Sequence, residues 1–453
     1  MNAAIVDALV AAGMSHDEAA RKEQLFASAE GLLRARGIAC TGRWFVPGRI
    51  EVLGKHTDYA GGRSLLCTAE RGMCVTANSR DDSTVRIDDA VDGRSVEFEL
   101  SADVAIPESK WTVYTTSAGR RIARNFSGEL HGADIVIASD LPRAAGMSSS
   151  SVLVVAIFSV LGEINRLDQR PEYKSNIRNR EELAGYLGCI ENGQSFGSLA
   201  GDKGVGTFGG SEDHTAIVCS QPGMLRQYSF CPVHAERIIK LPAECALVIA
   251  ASGVKASKIG SARDQYNRIS KAAEAVLAVW RSYSSENPAT LRDAVASSAD
   301  APERIREAIE HSSISDFSAR ALLDRFDQFV LESEEIIPAA GDALSRADLR
   351  SFGELVDRSQ HAAELWLGNQ IPETIELARV ARQLGAHAAS NFGAGFGGSV
   401  WSLVSRADAF QFCDAWKKRY EQLFAEAAAH SQFFVTAPGP GILRLQGGAG
   451  VVR

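Results

Sequence analysis

This chain lacks any apolar run of the roughly 18 to 20 residues that a membrane-spanning helix needs. Its first residues, MNAAIVDALV, lack the basic start and small-residue cleavage site of a secretory leader. It is also short of positive charge: 48 Lys and Arg face 56 Asp and Glu, a net −8. That balance argues against a general nucleic-acid or membrane-surface binder, which needs a basic face, though a local basic pocket stays open. The eight cysteines stand at 40, 67, 74, 189, 219, 231, 245 and 413, with no CxxC spacing of a metal site. Buried free thiols in a reducing cytoplasm are therefore expected. Repeats, low-complexity tracts and heptad runs are missing too. What remains is 453 residues, 45% hydrophobic and 23% charged, ordinary for a globular enzyme and ample for more than one core.

Chemistry concentrates in three glycine-bearing segments far apart in the chain. The first is PGRIEVLGKHTDYAGG, Pro47 to Gly62, which sets an arginine, a lysine, a histidine and an aspartate along one Pro- and Gly-containing turn between expected strands. Such a turn holds several hydrogen-bonding side chains against one small polyhydroxylated ligand. The second is SDLPRAAGMSSSS, Ser139 to Ser151, between an apolar strand at Ile135 to Ile137 and an apolar helix from Val152 to Leu161. Gly146 and the serines thus stand where a helix begins, a place whose open N–H groups and positive dipole favour phosphate. A plain Ser-rich helix cap is the alternative. The third is SNFGAGFGGSVWSLV, Ser390 to Val404, a glycine loop before an alternating strand, weak evidence by itself.

The first segment resembles the galactokinase signature, usually written PGRVNLIGEHTDYNGG, matching in order at Pro47, Gly48, Arg49, Gly54, His56, Thr57, Asp58, Tyr59, Gly61 and Gly62. GMSSSS and GAGFGG are similar to the phosphate loop and the C-terminal glycine loop of the same family, the GHMP small-molecule kinases. WTVY at Trp111 to Tyr114, CIENGQSF at Cys189 to Phe196 and GGSEDHTA at Gly209 to Ala216 resemble further elements of it. The resemblance implies ATP and Mg2+ as cofactors. It makes Asp213 and Arg49 the catalytic pair, and Trp111, Gly146, Met147, Ser148, Ser149, Ser150, Ser151 and Gly395 the ATP-binding residues. Ser150 and Glu191 become the metal ligands. Lys55, His56, Asp58, Tyr59, Gly210 and Arg263 become the sugar contacts, with Tyr266 the alternative to Arg263. The Gly-rich insertion before Asp213 is longer than the family's, which puts the register of Glu191 and Asp213 in question. Asp213 alone also reads as the cap of a helix starting at His214.

These residue types suit phosphoryl transfer, which needs an oriented hydroxyl and stabilised oxygens more than covalent chemistry. A carboxylate can orient or deprotonate the hydroxyl, and a guanidinium can hold that carboxylate ionised and neutralise phosphate charge. Lys55 departs from the family, whose glutamate there accepts from the sugar's primary hydroxyl; lysine only donates. Two readings stay open: a pocket that takes an acidic sugar, or a lysine turned outward to a surface carboxylate.

Capping residues Ser15 and Glu18 predict an N-terminal amphipathic helix ending near Gly37. Strands are expected at 44–53, 72–78, 84–87, 95–100 and 246–251, helices at 111–126 and 180–191, and long helices over 261–384. The expected fold class is α+β, and the resemblance implies a two-domain GHMP kinase fold. Its parts are a helical extension over 1–37, a ribosomal-protein-S5-like N-terminal domain over 38–235 and a ferredoxin-like C-terminal domain over 236–453. The implied activity is ATP-dependent phosphorylation of a monosaccharide's anomeric hydroxyl in the cytoplasm, with no nucleic-acid or membrane partner and monomer and homodimer undistinguished. Alternatives are an acidic-sugar kinase and a sugar- and ATP-binding regulator without turnover. A P-loop NTPase is disfavoured, because GKHT at Gly54 to Thr57 lacks the required upstream glycine.

Overall fold

A computed structural model describes residues 2–107, 111–254, 261–312, 316–445 and 451–452, with side chains for all of these except 261–263, 451 and 452. Two helices, α1 (Ala3–Ala11) and α2 (His16–Ala35), precede a nine-stranded sheet. Its strands are β1 (Gly42–Leu53), β2 (Arg63–Ser79), β3 (Thr84–Asp89), β4 (Ser95–Glu99), β5 (Ala133–Ser139), β6 (Met224–Ser229) and β7 (His234–Lys240). The chain's last strands, β12 (Leu443–Leu445) and β13 (Val451–Val452), complete it. The order is β13-β12-β1-β2-β5-β3-β4, with β6 and β7 built onto the first half of β2; only the β3–β5 pair is parallel. A second, antiparallel sheet runs β11-β8-β10-β9, from β8 (Cys245–Ala251), β9 (Ala388–Phe392), β10 (Ser399–Ser405) and β11 (Gln432–Thr436). This is the mixed two-domain fold expected. β7 crosses residue 235 and still pairs with the first sheet, to which the C-terminal strands also return.

Helices cover the first sheet on both faces, which is why β1 is buried almost throughout rather than alternating. α2 lies against β2 and β5. Against β1 and β2 lie α4 (Ser149–Ile164) and α7 (Glu212–Cys219), while α3 (Thr112–Asn125), α5 (Pro171–Asn176) and α6 (Arg180–Asn192) complete that side of the chain's first half. Between β8 and β9 in the chain runs a helical block: α8 (Ser261–Ser284), α9 (Leu291–Val295), α10 (Ala301–Glu310), α11 (Ala319–Val330), α12 (Ile337–Ser345), α13 (Leu349–Ala362) and α14 (Pro372–Gln383). Its core of Trp280, Phe326 and Phe329 also takes in Ala60 and Tyr59 of the signature turn. α15 (Ala409–Leu423) and the short α16 (Ala425–Ala428) follow, and α14 and α15 cover the second sheet.

Ser15 sits at the N-cap of α2, yet its side chain makes no cap hydrogen bond. Glu18 pairs with Arg21 and with the fully buried Lys22, which also reaches Asp140. A buried ammonium draws the carboxylate that the capping box would have used. All eight cysteines are free thiols, and among the described residues no helix is long and apolar enough to cross a membrane.

Candidate active site

Residues from well-separated segments wall one cavity. They are Arg49 and Glu51 of β1, His56 and Asp58 of the turn, Ser151 at the start of α4, Glu191 of α6, Gly209 and Gly210, Glu212 to His214 of α7, Tyr266 of α8 and Gly393 and Ala394 of the third loop. β1 carries register shifts on both sides of this stretch, between Pro47 and Arg49 and between Glu51 and Leu53. Such bulges re-aim side chains beside a site. Arg49 and Glu51 alternate with Ile50 and so share one face of the strand. Arg49, only 4% exposed, donates from Nε to Asp213 Oδ1 at 2.7 Å, with Nη2 at 2.5 Å from the same oxygen. Asp213 lies in the first turn of α7, and its Oδ2 accepts from the Ser151 hydroxyl at 3.3 Å. Burial opposes the charge on Arg49, but Asp213, Glu51 and Glu212 outweigh it and hold the guanidinium charged.

The turn is over-determined. His56 takes a left-handed φ of 57°, a conformation that costs a non-glycine residue energy. Its Nδ1 is 3.1 Å from Tyr59 Oη, its Nε2 is 3.2 Å from the Ala394 carbonyl, and its own carbonyl accepts from Arg325 of α11 at 2.5 Å. Asp58 Oδ2 accepts from the Glu212 N–H at 3.1 Å. Gly210 touches this carboxylate so closely that a Cβ there would lie 2.4 Å from Asp58 Oδ2 and 2.9 Å from the Tyr59 nitrogen. Gly210→Ala is therefore expected to shove Asp58 aside and cut kcat/KM by about a hundredfold, the scale of a 1 Å misplacement. Steady-state kinetics with a saturating nucleotide checks this.

Lys55 does not stand in the cavity wall, nor does it turn outward. It is 1% exposed, and its Nζ donates to Ser359 Oγ of α13 at 2.9 Å. The neighbouring backbone is anchored by Glu332, whose Oε1 accepts from the Gly54 N–H at 2.8 Å, and by Gln328, which donates to the Lys55 carbonyl. Glu332 belongs to a π-helical turn, Leu331–Ile336, the kind of local widening often found beside functional sites. With the ammonium committed to the helical block, Lys55→Met is expected to leave the preference between neutral and acidic sugars unchanged. Its cost is in stability, about 1–3 kcal/mol for the polar group left unmatched; a substrate panel and a denaturant titration read the two effects separately.

On the phosphate side, Ser148 caps α4 with a left-handed φ of 60°. The first-turn N–H groups that follow have no intrahelical partner. Ser149 is exposed, Ser150 half-buried and Ser151 buried against Asp213, so Ser151 rather than Ser150 lines the cavity. Met147 is a core side chain whose carbonyl accepts from the Arg49 N–H at 3.3 Å. The third loop rests on the phosphate loop: a Cβ at Gly393 would lie 2.8 Å from the Gly146 carbonyl oxygen, and Ser399 Oγ donates to the Ala145 carbonyl at 2.6 Å. Gly395 faces the Asn369 backbone instead of either cavity. Trp111 lies at the start of α3 under the Arg94 guanidinium, 5.1 Å from the ring centre, away from both cavity walls. A larger cavity of about 960 Å³ flanks the phosphate loop, lined by Leu141 to Arg143, Ala145, Val91, Arg21 and Arg71 among others. Glu191 Oε1 is 3.2 Å from His214 Nε2 in the first cavity's wall. The side chain of Arg263 lies outside the described residues; Tyr266 occupies the wall, its ring centre 5.2 Å from that of His56.

Two carboxyl groups of the wall went unread in the sequence, Glu51 and Glu212. Burial pushes both carboxyls up, Glu212 well above the usual range with Glu51 adding to its rise; Arg49 opposes this in both, and Lys55 and Glu212 also pull Glu51 down. The available signal was spacing: Glu51 follows Arg49 by two in an otherwise apolar strand.

Comparison with known proteins agrees with this geometry. Residues 37–79 match the galactokinase galactose-binding signature, 113–197 the GHMP kinase N-terminal domain and 342–422 the GHMP kinase C-terminal domain. A galactokinase of Roseiflexus sp. (strain RS-1) is 29% identical over 371 residues, covering 81% of this chain and 84% of the relative. One from Chloroflexus aggregans is 28% identical over 377 residues, 82% and 85% of the two chains. In fold, the chain is similar to Lactococcus lactis galactokinase crystallised with galactose, with a TM-score of 0.73 at 23% identity over 92% of this chain and 98% of that one. It is less similar to Methanococcus jannaschii mevalonate kinase, at 0.52 and 12% over 87% and 98%. Signature, both kinase domains and near full-length relatives coincide: the chain carries the galactokinase galactose-binding signature together with the N- and C-terminal domains of a GHMP kinase.

Proposed function

We propose that this protein is a sugar 1-kinase, which transfers the γ-phosphoryl group of ATP to the anomeric hydroxyl of a neutral hexose, galactose or a close relative. The observation that carries this reading is the approach of two Arg49 guanidinium nitrogens to one oxygen of Asp213 in the wall of one cavity, with Ser151 of the phosphate-loop helix bonded to the other. Asp213 orients the hydroxyl and takes its proton; Arg49 keeps Asp213 ionised and offers charge to the transferring phosphoryl group. This pair also weighs against a regulator without turnover. Asp58 accepts from ring hydroxyls, with His56 and Tyr266 beside it.

ATP would occupy the larger cavity beside the phosphate loop, its triphosphate at the N-terminus of α4. Mg2+ accompanies nucleotide in this family and would neutralise phosphate oxygens. The Glu191 carboxylate and the serine hydroxyls at the start of α4 are the oxygen donors it prefers. Among the described residues there is no cluster of three or more His, Cys, Asp or Glu that could hold a metal ion.

The wall's charge favours a neutral acceptor: Glu51, Asp58, Glu191, Glu212 and Asp213 surround Arg49, and Lys55 is engaged elsewhere. An ADP-release screen across neutral hexoses and uronic acids tests this. Turnover with galactose-type hexoses and none with uronic acids is the expected pattern; the reverse pattern, or ATP consumption with neither, refutes it.

A further inference from the structure

We propose that Glu51 is a positioning residue that couples the seating of the third glycine loop to the orientation of Arg49; this rests on the kinase reading above. Glu51 Oε2 accepts from the Gly393 N–H at 3.2 Å and lies 3.6 Å from Arg49 Nη1. Gly393 is in turn pressed on Gly146 of the phosphate loop. One carboxylate therefore touches both the loop that closes on the phosphates and the guanidinium that serves them. It does so from a dry place: Glu51 and Glu212 are 4% and 6% exposed.

Burial pushes both carboxyls up, so their ionisation is opposed where they stand. The groups facing them are Arg49 and Lys55, which are cationic, and Asp58, Asp213 and Glu332, which add further negative charge. Glu212 is held in turn: its Oε2 accepts from the Ser64 hydroxyl at 2.7 Å, and its N–H binds Asp58. Glu51 beside Nη1 and Glu212 beside Nε flank the guanidinium and keep it in line with Asp213. Asparagine stands at this place in the signature PGRVNLIGEHTDYNGG, so the carboxylate pair is a feature of this chain.

Three variants of the full chain test the assignment. Glu51→Ala removes both ties and is expected to lower kcat about tenfold or more, with KM for ATP raised as the loop loses its anchor. Glu51→Gln keeps an acceptor for the Gly393 N–H but not the charge. Its KM for ATP should stay near wild type, its kcat should fall, and the alkaline limb of its kcat profile should shift. Glu51→Asn should resemble Glu51→Gln, with a weaker hold on the loop. Melting midpoints give a readout independent of catalysis. From about pH 4.5 upward the folded wild type keeps a proton that the unfolded chain releases, so the pair's contribution to stability declines as pH rises. Glu51→Gln should flatten that decline. Unchanged kcat in Glu51→Ala, or a melting profile in Glu51→Gln that follows wild type, overturns the proposal. Wild type that transfers no phosphoryl group overturns the kinase reading instead, and the melting profiles still decide whether folded Glu51 keeps its proton above the ordinary carboxylate range.

Discussion

Asp213→Asn is expected to bind ATP as wild type does and to lose phosphoryl transfer by about 10²–10⁴-fold, the scale of a general base removed. The substitution is nearly isosteric. The amide oxygen can still accept from Arg49, and its NH2 can face Ser151, so α7 and the phosphate-loop helix keep their places. What disappears is the negative charge that makes a sugar hydroxyl a better nucleophile. Arg49 does not lose its setting, since Glu51 and Glu212 lie 3.6 and 3.9 Å from its guanidinium nitrogens. Titration calorimetry with a non-hydrolysable ATP analogue, set beside kcat, separates binding from chemistry. Near-normal turnover would remove Asp213 from the reaction.

Arg49→Met should do more damage, because it acts on the fold and the reaction together. Glu51, Glu212 and Asp213 all face this guanidinium. Breaking a buried pair by taking one partner costs about 3–5 kcal/mol, since the stranded charges stay buried. The sign of the pH dependence follows. Without the cation, these carboxyls hold protons to higher pH in the folded chain than in the unfolded one, so stability is lost as pH rises above their ordinary range and is regained toward acid. Unfolding by urea at acidic and at neutral pH should therefore show a larger deficit at neutral pH. Transfer should fall by about 10³–10⁵-fold, as when an arginine that stabilises phosphoryl charge is lost. A variant equally stable at both values, with modest kinetic loss, would make Arg49 a peripheral ion pair.

Much of this centre was legible in the sequence because its chemistry sits in short glycine-bearing segments. The PGR turn and the SSSS run carry polar residues where an apolar strand or helix meets a turn, while the resemblance of the signature and of GGSEDHTA singled out Arg49 and Asp213; among the serines it singled out Ser150, whereas Ser151 stands beside Asp213. The long insertion before Asp213 left its register open, and contact with Arg49 now fixes where the residue stands. Side-chain direction was not legible. His56 adopts a left-handed conformation, and Lys55 before it is buried against Ser359, 304 residues away in the chain. Nothing local announces such a partner. Glu51 hid in a strand whose apolar neighbours dominate the pattern.

The same limits apply to the fold. The half of β2 that carries Arg63, Glu70 and Arg71 reads as a loop by hydrophobic pattern, yet pairs with β6 and with the signature strand. Arg63 is held there by Glu236 and Glu334, partners distant in sequence. β12 joins β1 at Leu443 to Leu445, a pairing that depends on the whole chain between them. Strands built from long-range ion pairs and returning termini carry weak periodic signals, whereas β5 and β8, buried on both faces, announce themselves as apolar runs.

The most direct test is phosphorus NMR of the product formed from ATP and galactose. A phosphate monoester coupled to the anomeric proton, appearing with an equal amount of ADP, is the predicted spectrum. ADP without sugar phosphate, or phosphate on another oxygen of the ring, would contradict the placing of the acceptor hydroxyl between Asp213 and the phosphate loop.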